Sequence, residues 1–354
     1  MKLESLLKKL PEELDGAMIT SEENRRYFTA FPSTAGVLIV SRSGSVFLTD
    51  SRYVEAAGKK IKCCPVRETK NLKAELPALM REFNIRRIGI EAQRVTVSDY
   101  AKYKDVLGGV EVSANGAVDR AITSLRMIKS ADEIALMKSA QEIAERAFTH
   151  ILDFIKPGVT EREVSLELDY FMLRSGAEAL SFETIAVSGV NSSMPHGVPS
   201  DKKIENGDFV TMDYGAVCGG YHSDMTRTVA VGNVSAEQKK VYDTVLKAQL
   251  AALEAMRSGV RCADADRAAR DVIEAAGYGE FFGHGTGHGV GIEIHEEPRV
   301  SPTAVDILET GNVVTDEPGI YLPGQFGVRI EDMVLITENG FENLTKAPKE
   351  LIVL

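Results

Sequence analysis

In the second part of the chain, apolar residues recur at helical spacing over long stretches, separated by short β-branched runs. After SLRMIKS, Ser130 and Glu133 form a capping box. Ile134, Met137, Ile143, Ile151 and Ile155 follow at roughly helical spacing until Pro157-Gly158 ends the run. Thr160 and Glu163 repeat the signal for a second helix, and SAEQKKVYDTVLKAQLAALEAM and CADADRAARDVIEAAG predict a third and a fourth. Each helix pair precedes a predicted β-hairpin, which suggests an internal pseudo-repeat enclosing an antiparallel sheet. Before Leu125 the pattern differs. There GAMIT, SEENRRYFTAF, AGVLIVSRSGSVFLTD, RYVEAAGKK, NLKAELPALMREFN, RRIGIE and YAKYKDVL alternate short strands with helices, predicting a compact α/β domain with a mixed sheet. The implied domains are 1–125 and 126–354, with no low-complexity linker between them.

Both predicted hairpins carry a pair of acids. In DFVTMDYGAVCGGYHSDMTRTVAV, Asp213 and Asp224 are equidistant from a turn at Cys218/Gly219. In VVTDEPGIYLPGQFGVRIEDMVLI, Glu317 and Glu331 are equidistant from Gly324. Simple register would place the Cβ atoms of each pair about 4.5–5.5 Å apart on one face. Like charges so placed repel, and burial would force a proton onto one of them unless a cation lies between. The alternative is two exposed hairpins with solvated charges. GHGTGHGVGIEIHEEP adds His284, His288 and His295 among glycines that exclude an ordinary helix and let backbone approach backbone or ligand. Four carboxylates and one imidazole form an oxygen-rich set whose charge balances two divalent cations. Such a set suits Mn²⁺ or another first-row metal better than a closed structural zinc site. Two such ions could bridge and deprotonate a water that attacks a carbonyl, so the implied reaction is hydrolysis.

MDYGAVCGGYHSDMTRT, GHGTGHGVGIEIHEEP, TDEPGIY and VRIED resemble, in order and spacing, the metal motifs of the pita-bread-fold metallopeptidases, which include methionine aminopeptidases, aminopeptidase P and prolidase. The resemblance implies an α/β N-terminal domain like that of creatinase and prolidase, followed by an α+β pita-bread catalytic domain. It makes Asp213, Asp224, His288, Glu317 and Glu331 the metal ligands, with Asp224 and Glu331 bridging the ions. It also matches His196, in a Met-Pro-His-Gly segment, to the family's substrate-binding histidine, and His284 and His295 to the histidines flanking the metal histidine. His295 is the better candidate for stabilising a tetrahedral intermediate, and Glu317 could double as proton carrier to the leaving nitrogen. Arg329, two residues before Glu331, projects to the same strand face and could hold ligand carboxylates, or could be a surface arginine.

VRIED, EPGIY and the long segment before the metal motifs resemble the proline-specific branch. A bond to proline lacks an N–H and has a fixed φ, so it calls for a dedicated enzyme. Arg299 in HEEPRVSP stands where archaeal-type prolidases carry an arginine resembling a clamp for a dipeptide carboxylate, which would make the chain an Xaa-Pro dipeptidase acting through a metal-bridging hydroxide. A surface arginine is the plain alternative. An Xaa-Pro aminopeptidase acting on longer peptides is the competing activity, and a non-catalytic protein-binding module a remote one. The resemblance further implies a homodimer and two divalent ions, Mn²⁺ foremost with Co²⁺, Fe²⁺ or Zn²⁺ as options. One residue departs from the family pattern: Asp316 precedes Glu317 where an apolar residue is usual, and it should face away from the metals.

Composition adds exclusions. At 354 residues the chain can bury two cores. Its net charge of −11 argues against nucleic-acid partners. Four cysteines, Cys63 and Cys64 adjacent and Cys218 and Cys262 far off, show no disulfide framework and predict a cytoplasmic protein. The segment MKLESLLKKLPEELDG reads as an amphipathic helix without an apolar core for export, and no stretch is long enough to span a membrane. His150 and His222 read as structural or exposed. Ser192 and Ser193 lack a nucleophile elbow, and the glycines of 283–291 lack a phosphate-loop ending.

Overall fold

The computed structural model describes residues 2–354. The chain forms two compact units that meet between Arg126 and Met127. In the first, a six-stranded sheet runs in the order Val66–Glu68, Ser45–Thr49, Val37–Ser41, Gly16–Ile19, Arg87–Ile90, Glu111–Ser113. Val37–Ser41 pairs antiparallel with both of its neighbours and the other three pairings are parallel, the mixed sheet that the alternating pattern predicts. Val37–Ser41 is buried at all five positions, which is why it reads as a continuous apolar run rather than an alternation. The helix Leu72–Glu82 packs Leu76, Leu79 and Met80 against Met18, Ile39 and Ile88. A further helix, Ala117–Arg126, has no counterpart among the predicted segments. Its buried face includes Asp119, which accepts the N–H groups of Ala92 and Gln93, so its apolar pattern is interrupted by a structural acid.

The second unit opens with the helix Ala131–Phe154, and Ser130 and Glu133 make the reciprocal capping box. Thr160 and Glu163 do the same for Glu161–Arg174. Ser235 and Gln238 cap Ala236–Ala255, which packs on Cys262–Ala275. Each helix pair backs the hairpin that follows it in the chain. Phe148, Ile151, Leu168 and Met172 bury against Met212, Tyr214 and Met225, while Tyr242, Val245 and Ile273 bury against Ile320, Val328 and Ile330. The hairpin strands all pair antiparallel.

The first hairpin corrects the expected register. Phe209–Tyr214 pairs with Met225–Ala230 so that Asp213 faces Thr226, and Cys218 faces Tyr221 at the tip. The turn is Gly219–Gly220, both at positive φ (57° and 85°), the two-residue turn whose twist suits a hairpin. It falls one residue later than expected. Asp224 is therefore two residues along from the partner of Asp213, a diagonal neighbour rather than a directly opposed one. The second hairpin keeps the expected register. Gly319 faces Arg329, Asp316 faces Asp332, and the turn centres on Gly324 at φ 71°. Glu317 and Glu331 thus occupy facing positions between two ladders. The hairpins join where Glu331 N–H donates to the Thr226 carbonyl (3.1 Å) and Thr226 Oγ1 donates to Glu331 Oε2 (2.7 Å).

Candidate metal centre

His288 lies on the short strand Gly287–Gly289. A Cβ at Gly287 would stand 2.0 Å from the Thr315 carbonyl oxygen, and one at Gly289 2.3 Å from that of Glu297, so the glycines admit backbone on both sides of the histidine. His288 N–H donates to Thr315 Oγ1 (3.1 Å), and that hydroxyl donates to Glu317 Oε1 (3.2 Å). His288 Nδ1 lies 3.1 Å from the Gly289 carbonyl, an acceptor that places the proton on Nδ1 and leaves the Nε2 lone pair for a ligand. Nε2 is 3.4 Å from Glu317 Oε1 and 3.7 Å from Asp224 Oδ2. Asp224, His288 and Glu331, all buried, offer donor atoms within 4.8 Å of one another. Asp213 stands beside them. Its Oδ2 accepts from Arg329 (2.6 Å), while its buried Oδ1 has no partner among the described residues.

The electrostatics fit divalent cations. Burial, then the charges of Asp213 and Glu317, push the Asp224 carboxyl well above the usual carboxylate range. Glu331 is raised likewise by burial and by Asp224, and burial lifts Glu317 to about 7. Burial also lowers His288 to about 3, keeping its imidazole neutral as metal ligation requires. In metal-free protein, protons must do what a cation would do better. The oxygen-rich donor set and the orphan oxygen of Asp213 suit two divalent ions.

A cavity of about 580 Å³ opens onto all five of these residues and also onto His196, His284, His295, Arg299 and Arg329. His196 and His295 are exposed toward it, and the His295 ring lies 4.4 Å from that of His288. Arg299 is the strand partner of His288, and its side chain is exposed. His284 differs from its two companions, because both ring nitrogens have protein partners: Nδ1 the Gly285 carbonyl (2.8 Å) and Nε2 the Tyr321 hydroxyl (2.9 Å). Arg329 donates to Tyr321 (2.8 Å), to Thr226 (3.0 Å) and to Asp213, so it is a buried brace for those three side chains rather than a surface arginine. No local pattern marks Tyr321 as part of the site, although it stands four residues after Glu317 in the same hairpin.

The remaining candidates lie elsewhere. Asp316 points away from the cavity, fully buried against Gln249, and its Oδ1 has no partner among the described residues. His150 pairs with Glu167 (2.6 Å) and stacks on Phe171, and His222 bonds Ser181 (2.8 Å). Ser192 and Ser193 donate to carbonyls of their own 3₁₀ turn.

Comparison with known proteins finds relatives for both parts of the chain. Residues 135–338 match the metallopeptidase family M24, and residues 2–128 match the creatinase/prolidase N-terminal domain. An Xaa-Pro dipeptidase of Pyrococcus horikoshii is 40% identical, covering 96% of this chain and 95% of its own. The structure of an Xaa-Pro dipeptidase from Bacillus anthracis superposes with a TM-score of 0.96 at 45% identity, covering 100% of this chain and 99% of that one. An X-Pro aminopeptidase from Thermotoga maritima superposes with a TM-score of 0.93 at 36% identity, with both chains fully covered. Divalent-metal hydrolysis is the chemistry of that family, and with its creatinase/prolidase-type N-terminal domain and pita-bread catalytic domain this chain belongs to metallopeptidase family M24.

Proposed function

We propose that the chain is an Xaa-Pro dipeptidase in which Asp213, Asp224, His288, Glu317 and Glu331 hold two divalent ions, most readily Mn²⁺. Asp224 and Glu331 would lie between the ions. When bound, the ions supply an activated water and a Lewis acid for the scissile carbonyl. The chain's own residues do the rest. Glu317 Oε1, beside the His288 ring and the Thr315 hydroxyl, takes the proton released by the attacking water and delivers it to the proline nitrogen. His196 and His295, both facing the cavity, donate to the oxygen that gains charge during attack. His284 orients the site through Tyr321 and Arg329, while its ring lines the same cavity. The Arg299 guanidinium pairs with the carboxylate at the substrate's C-terminal end.

The observation that carries this reading is the placement of Arg299 directly across the strand pair from His288, inside a cavity sized for a small peptide. An Xaa-Pro aminopeptidase is the second reading, favoured by the full-length similarity to the Thermotoga protein. A protein-binding module has little support, because all five ligand positions carry donors. A homodimer in the cytoplasm completes the proposal. It is motivated by the family resemblance and by four cysteines without a disulfide.

The test is release of free proline from Ala-Pro beside cleavage of Ala-Pro-Xaa tripeptides, with metal-stripped protein reconstituted with Mn²⁺. Preference for the dipeptide supports the proposal, and preference for the tripeptide replaces it with the aminopeptidase.

A further inference from the structure

The segment carrying His284 and His288 has glycine at 283, 285, 287, 289 and 291, so it brings little conformational preference of its own. Its shape must be imposed from outside, and the helix Cys262–Ala275 does so with one ion pair. Asp266 and Arg270 stand four residues apart on that helix, on one face. They form a two-pronged bridge, Nε to Oδ2 at 2.9 Å and Nη2 to Oδ1 at 3.0 Å. Asp266 is 1% exposed. Its Oδ1 also accepts the Thr286 N–H and the Thr286 hydroxyl, each at 2.9 Å. Arg270 donates to the carbonyls of Phe282 (3.0 Å) and His284 (2.8 Å), and its guanidinium lies 4.2 Å above the Phe282 ring. Alternate residues 282, 284 and 286 are thus fixed by one charged pair.

Two functional groups depend on that clamp. Fixing the 284 carbonyl and the 286 N–H sets the peptide planes on both sides of Gly285, whose carbonyl faces His284 Nδ1. That contact leaves the His284 Nε2 lone pair to accept from Tyr321, and so links the imidazole to Arg329 and Asp213. On the other side, the Thr286 carbonyl accepts the Glu317 N–H at 2.7 Å. A shift of Thr286 therefore moves Glu317 directly.

We infer that Asp266 and Arg270 are positioning residues that set the tautomer of His284 and the placement of Glu317 without touching substrate or metal. The consequence for turnover rests on the peptidase reading above; the consequence for the imidazole does not.

The test uses the full-length protein with Arg270→Ala, Arg270→Lys and Asp266→Asn. On Ala-Pro, Arg270→Ala should lower kcat about 10²-fold with KM changed little, since a displacement of about 1 Å at a catalytic group carries a cost of that order. Two Mn²⁺ per chain should remain bound. Added ethylguanidinium should restore a measurable part of kcat, and Arg270→Lys, which keeps the charge but loses the fork, should fall between. Nitrogen-detected NMR of the imidazoles in metal-free protein gives an activity-independent reading. His284 should be a single Nδ1-protonated tautomer in the parent protein and a mixture in Arg270→Ala. Full kcat in the folded Arg270→Ala protein, an unaltered His284 tautomer, or an activity loss that ethylguanidinium leaves untouched would each overturn the inference. If the parent protein fails to cleave Xaa-Pro peptides, the proposed function falls, and the NMR comparison still decides the positioning role. Should Arg270→Ala not fold, Asp266→Asn with the same readouts decides it.

Discussion

Replacing Glu317 with Gln should change how the stability of the metal-free protein depends on pH. Burial lifts this carboxyl from 4.5 to about 7. A group whose pKa is raised on folding binds its proton more tightly in the folded state, so its contribution is fully present below the unfolded pKa and is lost as pH rises through the folded one. A shift of about 2.5 units corresponds to about 3 kcal/mol in total, of which about 2.5 kcal/mol falls between pH 5 and pH 8. The side chain keeps 18% of its exposure at the cavity, which makes that an upper bound. His284 and His288, lowered to about 4 and about 3 by burial, act in the opposite sense below pH 7, since their contribution is lost as pH falls. They are present in both proteins, whereas Asp224 and Glu331, which the Glu317 charge raises further in the parent, shift the difference in the same direction as Glu317 itself. At about 2–4 °C per kcal/mol for a unit of this size, the melting temperature of the parent relative to Glu317→Gln should fall by about 5–10 °C from pH 5 to pH 8. Calorimetry on metal-stripped protein at pH 5, 6, 7 and 8 measures it. A difference that stays constant, or that rises with pH, would refute the assignment of a buried, proton-retaining Glu317.

Arg299→Ala should raise KM for Ala-Pro about ten- to a hundredfold and leave cleavage of Ala-Pro-amide unchanged, because only the free carboxylate engages the guanidinium; steady-state kinetics on the two substrates checks this. Arg329→Met removes the donors to Asp213, Tyr321 and Thr226. It should weaken metal binding about ten- to a hundredfold by calorimetric titration. Asp316→Val should stabilise the protein by about 1–3 kcal/mol in urea unfolding. It replaces a buried carboxyl with an unpartnered oxygen by an apolar side chain, and Gln249 keeps its bond to Asp332.

The parts of the fold legible in the sequence were those encoded locally. Capping boxes at Ser130/Glu133 and Thr160/Glu163 announce their helices within four residues, and the Gly324 turn centres the second hairpin as its residues imply. The first hairpin slipped by one residue because three successive positions, Cys218, Gly219 and Gly220, can all lie in a turn. Only the need for two positive-φ residues selects the glycine pair. The candidate ligands stood out because acids and histidines are costly to bury without a partner. What supports them was hidden. Tyr321, Asp266 and Arg270 act through contacts between elements distant in sequence, and on a helix an Asp and an Arg four apart look like any surface pair. Asp316 is legible as a departure from the family pattern, but its bond to Gln249 on a distant helix is not encoded in the hairpin that carries it.

Two-metal hydrolysis is tested most directly by adding Mn²⁺ stepwise to metal-stripped protein while following proline release from Gly-Pro. A two-ion hydrolase should show turnover that saturates at two ions per chain and is lost in Asp224→Asn. Turnover that is independent of added metal, or that persists in Asp224→Asn, would contradict it.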